Sequence, residues 1–343
     1  MDEPFYKDPA NKDIKITVIG GGTGSFTILS ALKNHTKQLA AVVNMSDDGG
    51  STGVLRDELG TLPPGDVRQC LVALSDSLKI RDLFDYRFEE GTLQGHSFGN
   101  ILLTALEKVT GSFSEAVKTA SEILRVHGTV IPATLDDVRL KMKWPKQNLE
   151  LKGESIIALN HFRYNPKVAE LSLTPNPKPN PIALDAIIKA DIVIIAPGDL
   201  YASLGPLLII DGVGEALAKT KALKIYVANL VTKNGQTTGF TVSDHAKEIE
   251  RFAGVKFLDF VLYNNAKPTD NIMSRYIEEK AYLTEINTKE LDNVHFRTIG
   301  GNFLGKMATR KKSDVLLTSR SLIRHDAEVL ARSIMDVYGD SKN

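Results

Sequence analysis

A β-branched run that breaks into glycines and resumes as a helix admits few folds. Ile14 to Ile19 is such a run, followed by Gly20, Gly21, Gly22 and Gly24. Phe26 to Lys33 then reads as a helix, and Leu39 to Met45 as a second short apolar strand. Strand, glycine turn, helix, strand is a βαβ unit, which implies parallel pairing through a right-handed crossover. The same rhythm returns after the proline-rich connector from Thr174 to Pro181. There a helix over 181–190 precedes an apolar strand over 192–196, and helices at 207–219 and 244–252 alternate with strands at 225–230 and 257–263. A last helix covers 326–337. Between the two α/β stretches the period changes to two: Val138, Leu140, Met142 and Trp144 alternate with charged residues, as in antiparallel ribbons. The expected fold is α/β: a doubly wound, mostly parallel Rossmann-like sheet forming a single domain over 14–343. It carries a small antiparallel β insertion at about 129–174 and an N-terminal tail over 1–13.

Composition narrows the function classes. The 343 residues hold 42 basic and 42 acidic side chains, so net charge gives no sign of a nucleic-acid partner. Arg310, Lys311 and Lys312 form a basic trio that reads as a solvated loop. One cysteine, Cys70, cannot form an internal disulfide; it sits in an apolar-periodic stretch as a small core residue. The first thirteen residues lack the apolar core of a signal peptide, and no apolar run approaches the ~20 residues of a membrane span. The expectation is a cytoplasmic protein with no membrane span. Homo-oligomers are common for such folds, although no residue demonstrates an interface.

Open parallel sheets bind ligands at the carboxyl ends of their strands, and here those ends carry unusual chemistry. Gly21, Gly22, Thr23, Gly24 and Ser25 suit a phosphate cradle: backbone N–H groups can approach closely and the next helix offers its positive end. The loop is neither a strict dinucleotide fingerprint nor a P-loop, since Ser25 replaces the last glycine and no Gly-Lys-Ser/Thr follows. Asp47, Asp48, Gly49, Gly50 and Ser51 end the second strand. The two carboxylates can accept from ribose hydroxyls, hold magnesium against phosphates, or form an Asx turn with a helix cap. In Pro64, Gly65, Asp66 and Arg68, Asp66 suits a helix cap, and Arg68 either reaches a ligand or merely belongs to the first turn. Gly198, Asp199, Leu200, Tyr201 and Ser203 follow a wholly apolar strand, where an aromatic with nearby polar groups suits a base or sugar. Asn100, Asn229 and Asn264 stand at element ends, where each alone is as well explained by a cap or turn amide. His96, His127, His245 and His325 have no zinc-ligand spacing, and no serine sits in a nucleophile elbow.

Taken in order, VIGGGTGSFTIL, NMSDDGGSTGVLRDELGTLPPGDVRQCLVALSD, PGDLYASLGP and NLVTKNGQTTGFTVSDH resemble the YvcK-like proteins, or gluconeogenesis factors. These share a superfamily with CofD, the 2-phospho-L-lactate transferase of deazaflavin coenzyme synthesis. The resemblance runs from about Ile14 to the last helix. It implies a Rossmann-like sheet and binding of a UDP-sugar, chiefly UDP-N-acetylglucosamine. It also implies a part in central carbon metabolism, cell-wall synthesis and cell shape, with no required cofactor. It further implies a tyrosine and an arginine as late ligand contacts, on Tyr276 and Arg324. The chain departs from that pattern at Asp199 and Ala202, where serine and threonine are usual, and at Lys233 to Gln236.

Three functions follow. The first is a nucleotide-sugar-binding regulator without turnover. The alternative is a CofD-like transferase that moves a 2-phospho-L-lactate group from a nucleotide carrier to a deazaflavin, with Asp47 and Asp48 holding magnesium. An NAD-dependent oxidoreductase comes last, because nothing offers a hydride-site acid.

Overall fold

The computed structural model describes residues 13–278, 280–305 and 323–342. The N-terminal tail and the basic trio therefore lie outside the described residues. Strand β1 (Ile16–Gly20) is buried along its whole length. Helix α1 (Gly22–Leu32) follows it, and β2 (Leu39–Val43) pairs with it in parallel from Ile16↔Leu39 to Gly20↔Val43. Helix α1 begins four residues earlier than its apolar pattern suggests, because the glycine loop supplies its first turn. Four helices, α2 (Gly50–Leu59), α3 (Gly65–Leu74), α4 (Leu78–Asp85) and α5 (Phe98–Thr110), lead to α6 (Phe113–Leu124) and β3 (Thr129–Pro132).

Strand β3 corrects the expected insertion boundary. It pairs in parallel with β2 and belongs to the main sheet, so the inserted ribbon starts after it. The insertion itself comprises β4 (Arg139–Trp144), β5 (Leu149–Lys152), the short α7 (Glu154–Leu159) and β6 (Glu170–Thr174). Its sheet runs β5-β4-β6 and is antiparallel. Leu140, Met142 and Trp144 point inward while Arg139, Lys141 and Lys143 face away, as the alternation requires.

The chain then continues through α8 (Pro181–Ile188), β7 (Ile192–Ile195), a π-helical turn at Leu200–Leu204, α9 (Gly205–Leu208) and α10 (Val213–Lys219). A single helix over 207–219 is not formed, because Gly212 sits at φ 84° between α9 and α10. Next come β8 (Leu223–Val227), α11 (Val242–Ala253), β9 (Phe260–Asn264), α12 (Asp270–Glu278), α13 (Thr288–Leu291), β10 (Arg297–Gly301) and α14 (Ala327–Lys342). Strand β10 escaped the sequence reading: it is a half-exposed edge strand ending in two glycines.

The main sheet runs β10-β9-β8-β7-β1-β2-β3, with every pairing parallel. Its strands feed two cores by simple alternation. Ile16, Val18, Ile192 and Ile194 pack on the face covered by α1, α3 and α14. Ile19, Val193 and Ile195 pack on the other, together with Leu140, Met142 and Trp144 of the insertion. The insertion thus shares the main core. Cys70 is fully buried in the first of these cores, as expected of a small core residue. Among the described residues no single helix is long and apolar enough to cross a membrane.

The tightest approach in this framework is at Gly24, where an added Cβ would fall 1.6 Å from the carbonyl oxygen of Pro197. Because that neighbour is backbone, it cannot swing aside. Gly24→Ala should cost at least ~3 kcal/mol of stability. A urea melt checks this, and an unchanged midpoint would mean the two loops do not touch.

Candidate ligand-binding crevice

Strands β1 and β7 are neighbours, yet the chain leaves β1 toward β2 and β3, and leaves β7 toward β8 to β10. Their adjacent carboxyl ends are the topological switch point, where the two connections diverge and open a crevice. One wall is the glycine loop. Gly22 adopts φ 59°, and the N-cap of α1 is Gly21, which has no side chain of its own to cap the helix. Its first amides and the positive end of its dipole are of the kind that suit an anion. Asp66 lies against this loop: an added Cβ would be 2.1 Å from its Oδ2 at Gly21 and 3.4 Å from its Oδ1 at Gly22. Pro64, not Asp66, is the N-cap of α3; Asp66 sits in the first turn. Thr23 and Gly24 are half-buried along the loop, whereas Ser25 is fully buried and faces the β1–α1 interface rather than the crevice.

The β2 loop forms the second wall. Asp47 accepts from the Gly49 amide at 3.0 Å and from the Thr52 hydroxyl, while burial raises its pKa. Gly65 allows this packing, since a Cβ there would stand 2.7 Å from Asp47 Oδ2. Asp48 accepts from the amides of Ser155 at 2.8 Å and Glu154 at 3.1 Å, and so caps α7 of the insertion. The other end of α7 is held by Gln236, whose Nε2 donates to the carbonyls of Ile157, Ala158 and Asn160. The clamped helix brings Glu154 to the crevice. Burial, then the charges of Asp47, Asp199, Asp66 and Asp48, push the Glu154 carboxyl well above its ordinary range. No local sequence signal marks Glu154, because its position depends on where the insertion docks. Both Asp48 oxygens accept from α7 and Asp47 accepts from its own loop, so the two carboxylates expected to hold magnesium also serve the fold. Among the described residues no three His, Cys, Asp or Glu side chains form a ligand set.

Arg68 does not reach the crevice as a free guanidinium. It is buried, donates through Nε to Asn100 Oδ1 at 3.0 Å and pairs with Asp85. Asn100 in turn donates to Ser51 Oγ at 3.3 Å, and Ser51 is bonded to His96 Nδ1 at 3.0 Å.

The β7 loop is fixed by amide pairing: Asn229 accepts from the Gly198 N–H at 3.1 Å and donates to its carbonyl at 2.8 Å. Asp199 caps the π-helical turn through the amides of Tyr201 and Ala202, and its other oxygen pairs with Lys233. Ser203 is half-buried. Tyr201 and Leu200 are core residues. The Tyr201 ring packs edge-on against Phe162 and Phe252, and its hydroxyl donates to Glu248 at 3.0 Å. Burial and Glu248 push its phenol pKa up. The expected stacking of this aromatic on a base or sugar is thereby excluded; the turn demanded an apolar anchor.

Beyond β8, Asn264 accepts from the Phe303 amide at 3.0 Å and donates to the Ala266 carbonyl. Tyr276 is buried with Leu230, Ala281 and Ile323, and its hydroxyl accepts from the Ile323 amide. That bond ties Tyr276 to the residue before Arg324, which is half-buried. Next along, His325 Nε2 donates to the carbonyl of Ala228 at 3.1 Å, and burial lowers its pKa from 6.5 to about 4. The folded protein keeps this imidazole neutral where an unfolded chain would already be protonated. Stability should therefore fall as pH drops from about 6.5 to 4 and level off below, by roughly 3 kcal/mol from His325. His245, also lowered by burial, adds to the same slope. Denaturant melts across this window should show a shallower slope in His325→Gln; an identical slope would show that His325 titrates normally.

The model of the family described as 2-phospho-L-lactate transferase CofD matches residues 16–304. A protein of Clostridium acetobutylicum is 40% identical, covering 96% of this chain and 71% of its own length. The gluconeogenesis factor of Bacillus subtilis is 36% identical, covering 94% of this chain and 98% of itself. A crystal structure of a UPF0052 family member from Bacillus halodurans superposes with a TM-score of 0.84 at 34% identity, covering 94% of this chain and 99% of that one. With the sheet order, the glycine loop and the docked insertion in place, matches of this extent mean that the chain belongs to the CofD-like family and stands among its gluconeogenesis factors.

Proposed function

We propose that the crevice binds a nucleotide-sugar diphosphate of the UDP-N-acetylglucosamine type and that the protein is a cytoplasmic regulator. The observation that carries this reading is the amide end of α1 at the switch point between β1 and β7. A diphosphate there meets fewer charges than the sequence suggests. Lys233 offsets Asp199, and the raised pKa of Glu154 favours its neutral, donating form. Arg324, next in sequence to the Ile323 that bonds Tyr276, supplies a guanidinium suited to phosphate. The name of the Bacillus subtilis relative points to a role in gluconeogenesis, and the family resemblance extends this to cell-wall synthesis and cell shape.

The transferase reading draws on the description of the family model. It asks Asp47 and Asp48 to hold magnesium in addition to the bonds their oxygens make within the Asp47 loop and to α7, which the regulator does not require. The regulator is therefore favoured.

Calorimetric titration with UDP-N-acetylglucosamine, against UDP, GDP and NAD, with and without magnesium, tests the proposal. Saturable binding of the UDP-sugar without turnover is expected, weakened at least ~10-fold in Gly22→Val and Arg324→Ala. Magnesium-dependent binding of GDP with no binding of the UDP-sugar would overturn it.

A further inference from the structure

The polar chain from Asp85 to His96 orients the groups around one serine hydroxyl. A guanidinium only donates, so Asn100 must turn its carbonyl oxygen toward Arg68 Nε, at 3.0 Å. Its NH2 group then faces Ser51 and donates to Oγ at 3.3 Å. Ser51 is thus an acceptor on that side, which leaves its hydrogen and its second lone pair for His96 Nδ1, at 3.0 Å. In the tautomer with the imidazole proton on Nε2, Nδ1 accepts that hydrogen. A serine hydroxyl with its hydrogen aimed at an imidazole nitrogen is the resting arrangement of a nucleophile and its general base.

The surroundings of Ser51 suit that role. Ser51 is the second residue of α2, whose N-cap is Gly49, a residue with no side chain of its own to cap the helix. The positive end of α2 therefore adjoins Oγ, where it favours negative charge developing on an attacked group. The nearby carboxylates of Asp47 and Asp48 are engaged by the Gly49 amide and by α7. His96 is braced through its own backbone: its amide donates to Leu93, its carbonyl accepts from Phe88, and Arg87 bridges Ser97 beside it. The imidazole is half-buried, so the pair is not sealed in the core.

We propose that Ser51 is a nucleophile, with His96 as its general base, toward the electrophilic phosphorus of a phosphoester or phosphoanhydride. In the step, the Ser51 Oγ lone pair forms the O–P bond and the bond from phosphorus to its leaving group breaks, that group taking the bonding pair. The hydroxyl proton passes to His96 Nδ1. This pairing stands apart from the nucleotide-sugar reading and survives its failure.

The test is reaction of the full chain with diisopropyl fluorophosphate, in which fluoride is the leaving group. Intact mass should rise by one diisopropylphosphoryl group, peptide mapping should place it on Ser51, and Ser51→Ala should gain none. His96→Gln should react at least ~100-fold more slowly, the scale of general-base assistance. Because the adduct is mapped in the unaltered protein, a folding defect in either variant cannot imitate the result. An unmodified native chain, an adduct only elsewhere, or His96→Gln reacting at the native rate would each overturn the proposal.

Discussion

The closeness of Gly24 to the carbonyl of Pro197 sets the geometry on which the crevice depends. Two parallel strands leaving their sheet in opposite directions would ordinarily open a wide gap at the switch point. Here the loop after β1 is drawn against the loop after β7. Only a residue without a Cβ permits that approach, and the positive φ of Gly22 then turns the chain directly into α1. The start of the helix is thus delivered to the bottom of the crevice, where its dipole acts on whatever anion enters.

The second determinant is the insertion, which completes the site instead of decorating it. Its strands bury Leu140, Met142 and Trp144 in the core shared with β1 and β7, so its position is fixed by packing. Helix α7 is too short to be stable alone, and side chains of the main body hold both its ends: Asp48 at the amides, Gln236 at the carbonyls. The acidic loop after β2 therefore has a mechanical task. It joins the insertion to the sheet and, in doing so, sets Glu154 against four aspartates.

The fold was legible because periodicity of two and of 3.6 reflects burial, and burial here is regular. β3 was misassigned for the same reason: four residues are too few to declare whether they pair within the ribbon or with β2. The site was legible as a set of loops and far less so as a set of contacts. A carboxylate after a strand looks the same in sequence whether it faces a sugar or a helix amide. Tyr201 and Arg68 show the limit plainly, since each has the chemistry of a ligand contact and each is engaged inside the protein. Their partners Glu248 and Asp85 lie 47 and 17 residues away in sequence, with no local signal linking them. His96 and Ser51 were both visible as residues, but their pairing depends on the hairpin between α4 and α5.

The two departures from the family pattern explain each other once the loops are folded. A carboxylate at position 199, where serine is usual, would oppose a diphosphate if it stood alone. Lys233, in the other unusual segment, meets it with its ammonium group, while the remaining oxygen of Asp199 caps the turn that follows. A serine hydroxyl can cap such a turn as well, so the cap alone does not require the carboxylate. What the pair adds is a neutral tie between the loops after β7 and β8, the two strands on the far side of the switch point. The crevice wall is thereby fastened by an ion pair, and the diphosphate proposed above would meet a loop already in place.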